Sequence, residues 1–268
     1  MPAGMIHLRG FQRKPGKVPP EGFPFTLPLV RDLEPITFEA PVTFLVGENG
    51  SGKSTLLEGL AAAMGLPAIG GADVARDPTL AAARVLGDHL RLVWNKRTSK
   101  GFFLRAEDFF NFTRRTRETR DELNDLAEEY AEQFTGYGRL LAVGAMRGQQ
   151  SALDRRYGED IDHNSHGESF LLLFRERFVP GGVYLLDEPE APLSPQRQLS
   201  LLSLLKDMVA RDAQFVIATH SPIVMAFPEA QLLSFDGGQP RPVAYDSLEH
   251  VTLTRDFLNH PGRFLRHL

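Results

Sequence analysis

Apolar and polar residues along this chain fall into blocks that predict alternating strands and helices. Three short apolar runs, at 41–46, 183–186 and 214–219, have the β-branched and aromatic character of buried strands. Apolar residues at helical spacing follow the first run, at 55–61, and a further helix is predicted at 199–209. Strands that alternate with helices in this way predict an α/β fold whose central, mainly parallel sheet is flanked by helices.

The middle of the chain has a different, charged pattern. The residues from 109 to 133 predict one long helix, Gly136 and Gly138 interrupt it, and the segment up to about 162 is mixed and polar. A cluster of arginines at 114–120 is followed at once by a run of acids, which favours a solvated helix with intrahelical ion pairs over a nucleic-acid groove. We therefore expect a single domain, 1–268, with a helical insertion at about 109–162.

Composition narrows the class of protein further. The chain has 268 residues, of which 42% are hydrophobic and 24% charged, which is enough for one large core and excludes wholesale disorder. Cysteine is absent, so disulfides, thiol catalysis and cysteine metal sites are excluded. The formal net charge of −4 excludes nucleic-acid binding by bulk positive charge, and no apolar run reaches the length of a membrane span. We expect a cytoplasmic protein without an integral membrane segment.

A glycine-rich loop follows the first predicted strand. Residues Gly47–Ser54 read GENGSGKS, a full match to the phosphate-binding pattern G-x-x-x-x-G-K-S/T. Glycines let backbone N–H groups and the next helix N-terminus point at phosphate oxygens; Lys53 can reach the β- and γ-phosphates, and the Ser54 hydroxyl is a magnesium ligand. The candidate nucleotide-binding residues are Gly47, Glu48, Asn49, Gly50, Ser51, Gly52, Lys53, Ser54 and Thr55. The sequence therefore predicts binding of a nucleoside triphosphate, ATP, with Mg²⁺.

Two carboxylates end the second predicted strand. Asp187 and Glu188 follow the apolar run 183–186 directly. An aspartate at this position can hold magnesium through water, and the adjacent glutamate can orient and deprotonate the water that attacks a γ-phosphate. We therefore predict that Asp187 is a metal residue and that Glu188 is the catalytic base.

A histidine follows the third predicted strand. The run 214–219 continues directly into His220, Ser221 and Pro222. Because the carboxyl ends of parallel strands meet at one edge of a sheet, His220 is expected beside the phosphates. There it would sense or polarise the γ-phosphate, so His220 is the second candidate catalytic residue.

The three motifs together resemble those of a known superfamily. In this order, GENGSGKST, LLDEPEAPLS and IATHSP are similar to the Walker A, Walker B with D-loop, and switch-histidine motifs of the ATP-binding cassette (ABC) ATPases. The resemblance covers residues 41–222 and implies a P-loop NTPase fold. It also implies a signature motif before Walker B that contacts the γ-phosphate of ATP held by the other subunit. Ser165 and Gly167 match that motif, with His166 where the family has glycine.

The residue after Gly167 refines the resemblance. Glu168 stands where the transporters have the final glutamine of the signature motif, and this resembles the chromosome-maintenance (SMC) and double-strand-break-repair branch. An ordinary helix cap, with Glu168 in a capping box, is the alternative for this stretch.

Two features that the family implies are less defined in this sequence. The Q-loop should follow a strand before the signature motif, and the stretch 101–110 fits but contains no glutamine. Glu107 is the candidate replacement, unless Arg105 pairs with it. An aromatic side chain that stacks on adenine is expected before Walker A, where Phe11, Phe23 and Phe25 are available and the sequence does not choose among them.

The resemblance implies a magnesium-dependent ATPase in which ATP drives head-to-tail association of two copies. Each site would combine Walker A and B of one chain with the signature motif of the other.

Two other classes of protein stay open. One is the nucleotide-binding subunit of a membrane transporter, against which the missing Q-loop glutamine and the altered signature count; the other is a nucleic-acid-maintenance or defence ATPase with a nuclease partner, which Glu168 favours. Salt-dependent DNA binding would separate them.

Overall fold

The computed structural model of the chain describes residues 4–69, 80–157 and 166–266. Its strands are β1 (Leu8–Arg13), β2 (Ile36–Thr37), β3 (Val42–Val46), β4 (Leu90–Trp94), β5 (Gly101–Arg105), β6 (Val183–Asp187), β7 (Gln214–Ala218), β8 (Gln231–Ser234) and β9 (Arg241–Pro242). Its helices are α1 (Pro28–Arg31), α2 (Lys53–Met64), α3 (Ala81–Asp88), α4 (Ala106–Gln133), α5 (Gly136–Tyr157), α6 (His166–Arg177), α7 (Pro195–Val209), α8 (Pro222–Met225), α9 (Glu249–Asn259) and α10 (Pro261–Leu265). Within these described ranges, no helix has both the length and the apolar character that crossing a membrane requires.

The centre of the fold is a mainly parallel sheet. Among the described residues its strand order is β5-β6-β7-β3-β8-β9, in which neighbours from β5 to β8 run parallel and β9 is antiparallel to β8. A second, antiparallel sheet has the order β2-β1-β4. The predicted α/β class with a mainly parallel central sheet and flanking helices is confirmed.

The central strands β3, β6 and β7 are buried along their whole length, because helices cover both faces of the sheet. Successive side chains point to opposite faces. Phe44 and Tyr184 pack on the face covered by α6 and α7. Leu45 and Leu185, one residue further along each strand, pack on the other face against α2. This two-sided burial explains why these strands read as continuous apolar runs in the sequence.

The register of the sheet brings three loops to one edge. Ala218 at the end of β7 lies opposite Leu45 on β3 and opposite Asp187 on β6. The chain therefore leaves the three strands at the same level, at their carboxyl ends, where open α/β sheets bind their ligands. The loops that begin at Gly47, Glu188 and Thr219 meet there.

Helices α4 and α5 form a hairpin between β5 and α6. α4 begins directly after β5, and only Phe134 and Thr135 separate its end from the start of α5. The two helices pack mainly against each other, and the hairpin contacts β5 and α6 where it joins the rest of the fold. Among the described side chains between 118 and 149, none is buried. The charged segment predicted as one helix lies within α4, the polar segment after it is helical up to Tyr157, and 158–162 lie outside the described residues.

Candidate nucleotide-binding site

The loop between β3 and α2 has a backbone that requires glycine at three positions. Gly47, Gly50 and Gly52 have φ values of 141°, 82° and 94°, which side chains of L-residues disfavour. A Cβ on Gly47 would also lie 2.9 Å from the Asp236 carboxylate, and one on Gly52 would lie 2.9 Å from Leu29. The loop therefore curls tightly in front of the N-terminus of α2, where backbone N–H groups can bind an anion.

Lys53 is held inside this loop. Its side chain is buried, and Nζ donates hydrogen bonds to the carbonyl oxygens of Gly47 at 2.7 Å and Glu48 at 2.8 Å, and to Ser51 Oγ at 3.2 Å. Burial lowers the pKa of Lys53, while the carboxylates of Asp187, Asp236 and Glu188 oppose that shift. The ammonium group is therefore positioned in the phosphate loop, bonded to neutral oxygens that phosphate oxygens can replace.

Ser54 and Asp187 are in contact at the start of α2 and the end of β6. The Ser54 hydroxyl donates a hydrogen bond to the Asp187 carboxylate. Asp187 is buried, and desolvation raises its pKa to about 6, with Glu188 and Glu190 adding to the shift. Among the described residues, Asp187 Oδ1 has no hydrogen-bond partner. A buried, unpartnered carboxylate oxygen beside a hydroxyl has the oxygen-donor chemistry that Mg²⁺ prefers, so these residues fit the metal.

The rest of a magnesium shell would have to come from elsewhere. Over the described residues, no group of three or more His, Cys, Asp and Glu side chains could hold a metal ion. Magnesium commonly keeps several waters and is bound through one or two protein oxygens together with substrate phosphates. Ser54 and Asp187 match that limited contribution.

Glu188 and His220 face each other at the ends of β6 and β7. Glu188 Oε1 lies 3.9 Å from His220 Nε2, and both side chains remain partly exposed. The Glu188 backbone has a φ of 50°, unusual for a non-glycine residue, and its N–H donates to the Ala218 carbonyl at 2.8 Å. Burial and then Lys53 lower the pKa of His220, which favours the neutral imidazole. Nothing among the described residues accepts or donates a hydrogen bond at His220 Nε2.

Glu190 belongs to this site although sequence reasoning did not select it. Glu190 Oε1 accepts a hydrogen bond of 2.8 Å from the backbone N–H of His220, which ties the loop after β6 to the loop after β7. Its Oε2 is buried without a hydrogen-bond partner in the described part of the chain, and desolvation raises its pKa. The signal was present in the sequence as a third acid within Asp187–Glu190.

Asp236 is a second residue that sequence reasoning missed. It follows β8, and its Oδ1 accepts a hydrogen bond of 2.9 Å from the backbone N–H of Glu48, while Oδ2 accepts one of 3.1 Å from Ser234. The carboxylate thereby braces the phosphate loop from the neighbouring strand. No local sequence pattern predicts this role, because it depends on the pairing of β3 with β8.

A cavity of about 710 Å³ opens in front of the loop. Its walls come from 27–29, 47–51, 235–238 and 248–250, together with His220. This volume lies in the range typical of small-molecule sites. The predicted nucleotide-binding loop, Glu48 and Asn49 included, therefore faces a space that could take a nucleotide.

The three candidate adenine-stacking residues differ sharply in exposure. Phe11 is buried against Phe38, with ring centroids 6.0 Å apart, and Phe25 is buried against His89 at 4.9 Å. Phe23 is 61% exposed, but it does not line the cavity. Of the three, Phe23 alone presents a free ring face.

The candidate Q-loop segment forms an ion-pair cluster around Arg105. Arg105 pairs with both oxygens of Asp108 at 2.9 Å, with Glu107 at 3.1 Å and with Glu58 at 3.5 Å. Desolvation raises the pKa of Glu58 to about 7. Glu107 is the candidate replacement for the Q-loop glutamine. In the structure it pairs with Arg105, which is the alternative that the sequence left open.

The signature-like stretch is described in the structure from His166 onward. Ser165 lies outside the described residues. Gly167 is buried in the first turn of α6, where a Cβ would come within 2.9 Å of the Pro192 carbonyl oxygen, so glycine is needed for close packing. Glu168 pairs with Arg197 of α7 at 3.3 Å. Gly167 does not line the cavity, in contrast to the phosphate loop and His220.

Two family models match the segments that carry these motifs. Residues 23–80 match the model described as "AAA domain", and residues 169–226 match the model described as "AAA domain, putative AbiEii toxin, Type IV TA system". The first segment includes the phosphate loop, and the second includes Asp187, Glu188 and His220. No curated protein matches the chain.

Similar solved structures include ATP-binding cassettes and SMC heads. The nucleotide-free ATP-binding cassette from an ABC transporter is 18% identical, with a TM-score of 0.46, over 83% of this chain and 87% of that chain. CbiO1 of Clostridium perfringens, part of the ABC transporter complex cbiONQ, is 17% identical, with a TM-score of 0.42, over 88% and 91%. The SMC head domain from Thermotoga maritima is 14% identical, with a TM-score of 0.39, over 89% and 98%.

Proposed function

We propose that this chain is an ABC-type P-loop ATPase that binds ATP with Mg²⁺ and hydrolyses ATP at the carboxyl edge of its parallel sheet. One observation carries the proposal. The loop Gly47–Ser54, the carboxylates of Asp187 and Glu188, and His220 follow three adjacent strands whose carboxyl ends lie at the same level, and residues 47–51 of the loop line one cavity together with His220. These residues would supply the phosphate loop, the metal ligands and the catalytic base that phosphoryl transfer needs.

Binding of the triphosphate would begin at the phosphate loop. The N-terminus of α2 and the backbone N–H groups of the loop would bind the phosphate oxygens. Lys53 would exchange its bonds to the Gly47 and Glu48 carbonyls for bonds to the β- and γ-phosphates, which are charged and therefore stronger acceptors. Ser54 and Asp187 would hold the magnesium ion, which neutralises phosphate charge when bound.

Hydrolysis would depend on Glu188 and His220. Glu188 is partly exposed beside His220, so its carboxylate can reach a water molecule, orient it and accept its proton as it attacks the γ-phosphorus. His220 would donate a hydrogen bond from Nε2 to a γ-phosphate oxygen and thus bind the charge that shifts during transfer. Glu190 would keep the His220 backbone in place through its bond to the N–H.

We further propose that two copies associate head to tail when ATP is bound. Glu188 and His220 remain partly open to solvent in one copy, and Gly167 of the signature-like stretch is not among the residues that line the same copy's cavity. A second copy that placed Ser165 and Gly167 over the γ-phosphate would close the site against water. The compartment that we propose is the cytoplasm.

Mixing two inactive variants tests this arrangement. Glu188→Gln removes the base but leaves the signature stretch intact, and Ser165→Arg does the reverse. In a head-to-tail pair, one mixed site combines the intact Glu188 of one chain with the intact Ser165 of the other, so the mixture should regain phosphate release. A mixture as inactive as its two components would contradict the shared site.

A second candidate function is a defence or nucleic-acid-maintenance ATPase that acts with a nuclease partner. The description of the model matched by residues 169–226 favours it, and so does Glu168 in the signature-like stretch. ATP hydrolysis stimulated by DNA, with a rate that falls steeply as salt is raised, would support this candidate. A rate that is indifferent to DNA at low salt would count against it.

A further inference from the structure

Over the described side chains from 118 to 149, the hairpin of α4 and α5 lacks the buried core that a stable pair of helices needs. None of its described side chains between 118 and 149 is buried. Helices in proteins gain most of their stability by packing an apolar face, and these two have only each other over much of their length. Large apolar side chains stay in water near the turn, with Tyr137 at 74% exposure and Leu140 at 70%. A further surface is therefore needed to complete the packing.

A groove of about 460 Å³ lies along the hairpin. Its lining residues are spaced by three and four positions along each helix and therefore form one face. They include Ala127, Glu128 and Ala131 of α4 and Leu140, Gly144 and Arg147 of α5. Small side chains leave the groove accessible, since a Cβ added to Gly144 would meet no atom within 4 Å. A helix of another chain can therefore approach closely at this face.

The two helices carry opposite charges beside the groove. The segment 121–133 of α4 contains six acids and no base, whereas the segment 136–149 of α5 contains two arginines and no acid. The arginines are Arg139 and Arg147, and both line the groove together with Glu128 of α4. Two copies of the hairpin related by a two-fold axis are thus complementary in charge, because the acidic segment of α4 in one copy can face the two groove-lining arginines of α5 in the other.

We propose that this hairpin binds the hairpin of a second copy of the chain, in a two-fold contact that needs no nucleotide. The acidic α4 of each copy lies against the basic α5 of the other. Leu140 and Tyr137 become buried between the four helices and form the core that a single hairpin lacks. The contact is separate from the ATP-dependent association of the ATPase cores, and by tethering two cores it raises their effective concentration for that association.

Sedimentation velocity of the full chain without nucleotide tests the proposal. The wild type should form a concentration-dependent dimer. Leu140→Glu places a charge at the centre of the contact and should weaken the dimer at least about tenfold. The matched control is Leu265→Glu on α10, which changes another exposed leucine, 55% exposed and outside the hairpin, and should leave the dimer unchanged. Circular dichroism of each variant verifies that it is folded.

Cross-linking locates the contact independently. Because the chain has no cysteine, Ala131→Cys and Gly144→Cys each introduce a single thiol. A mixture of these two variants should be joined by a short bis-maleimide without nucleotide, whereas Leu265→Cys should not be joined to either. A nucleotide-free wild type that stays monomeric at high concentration, a dimer that Leu140→Glu leaves intact, or capture of a different protein by this groove would each overturn the proposal. A wild-type protein that forms the hairpin dimer but does not hydrolyse ATP would instead contradict the proposed function alone.

Discussion

Replacing Asp187 by asparagine should stabilise the nucleotide-free protein while it removes the proposed metal ligand. The Asp187 carboxyl group is buried, and desolvation raises its pKa from 3.8 to about 6. The negative charges of Glu188 and Glu190 shift it in the same direction, and the bonds and charges of Ser54 and Lys53 offset only part of the effect. Asp187 therefore keeps its proton to a higher pH in the folded chain than in the unfolded chain.

The sign and size of the effect follow from this difference. When the folded pKa is the higher one, the folded protein loses stability as pH rises from about 4 to about 6. Ionised Asp187 then costs the nucleotide-free protein about 3 kcal/mol at pH 7 and about 1 kcal/mol at pH 4.5. Neutral asparagine avoids this cost, so the free energy of unfolding of Asp187→Asn should exceed that of the wild type by up to about 3 kcal/mol at pH 7.

Urea unfolding at pH 7 and pH 4.5, without magnesium or nucleotide, measures the difference. Glu39→Gln, at an exposed carboxylate far from the site, is the matched control and should change stability little at either pH. Adding Mg²⁺ and ATP should raise the stability of the wild type and raise that of Asp187→Asn much less. Two results would refute the reasoning. One is a variant less stable than the wild type at pH 7; the other is a difference in free energy of unfolding between variant and wild type that is the same at both pH values.

Further outcomes follow from single contacts. Lys53→Met should lower ATP affinity at least about tenfold, because charge-assisted bonds to phosphate are lost, and equilibrium binding of a fluorescent ATP analogue measures it. Gly52→Ala should lower the free energy of unfolding by about 1–2 kcal/mol, since φ is 94° and Leu29 blocks the new methyl group; a urea titration checks this against Gly262→Ala, at an exposed site with open space. Glu190→Ala should slow phosphate release at least about tenfold by freeing the His220 loop, whereas Glu190→Gln keeps the acceptor for the His220 N–H and should retain most of the rate.

The parallel core was predictable because its sequence pattern and its burial coincide. β3, β6 and β7 are buried on both faces, so each appears as an unbroken apolar run, and each is followed at once by candidate site residues. The recognition of a P-loop ATPase depended on the motifs at the ends of these strands, and AAA-type family models match the two segments that contain them. The long charged helix was also predictable from the sequence, but its start at Ala106 was not, because the helix continues directly from β5.

Other parts of the site depend on contacts between distant segments and leave no local signal. Asp236 reaches Glu48 only because β8 pairs with β3, and Arg105 reaches Glu58 only where β5 meets α2. Phe11 and Phe25 resemble adenine-stacking residues in the sequence, yet both are packed in the core. Predictions for Ser54, Glu188 and the remaining motif residues still await experiment.

The most direct test of the ATPase site is a paired measurement on Glu188→Gln and the wild type. ATP binding and phosphate release are followed with the same protein preparations, with and without Mg²⁺. The account predicts that Glu188→Gln binds ATP about as tightly as the wild type but releases phosphate at least about a hundredfold more slowly, in line with the loss of a positioned base. Phosphate release at the wild-type rate, or a wild type that binds no ATP, would contradict it.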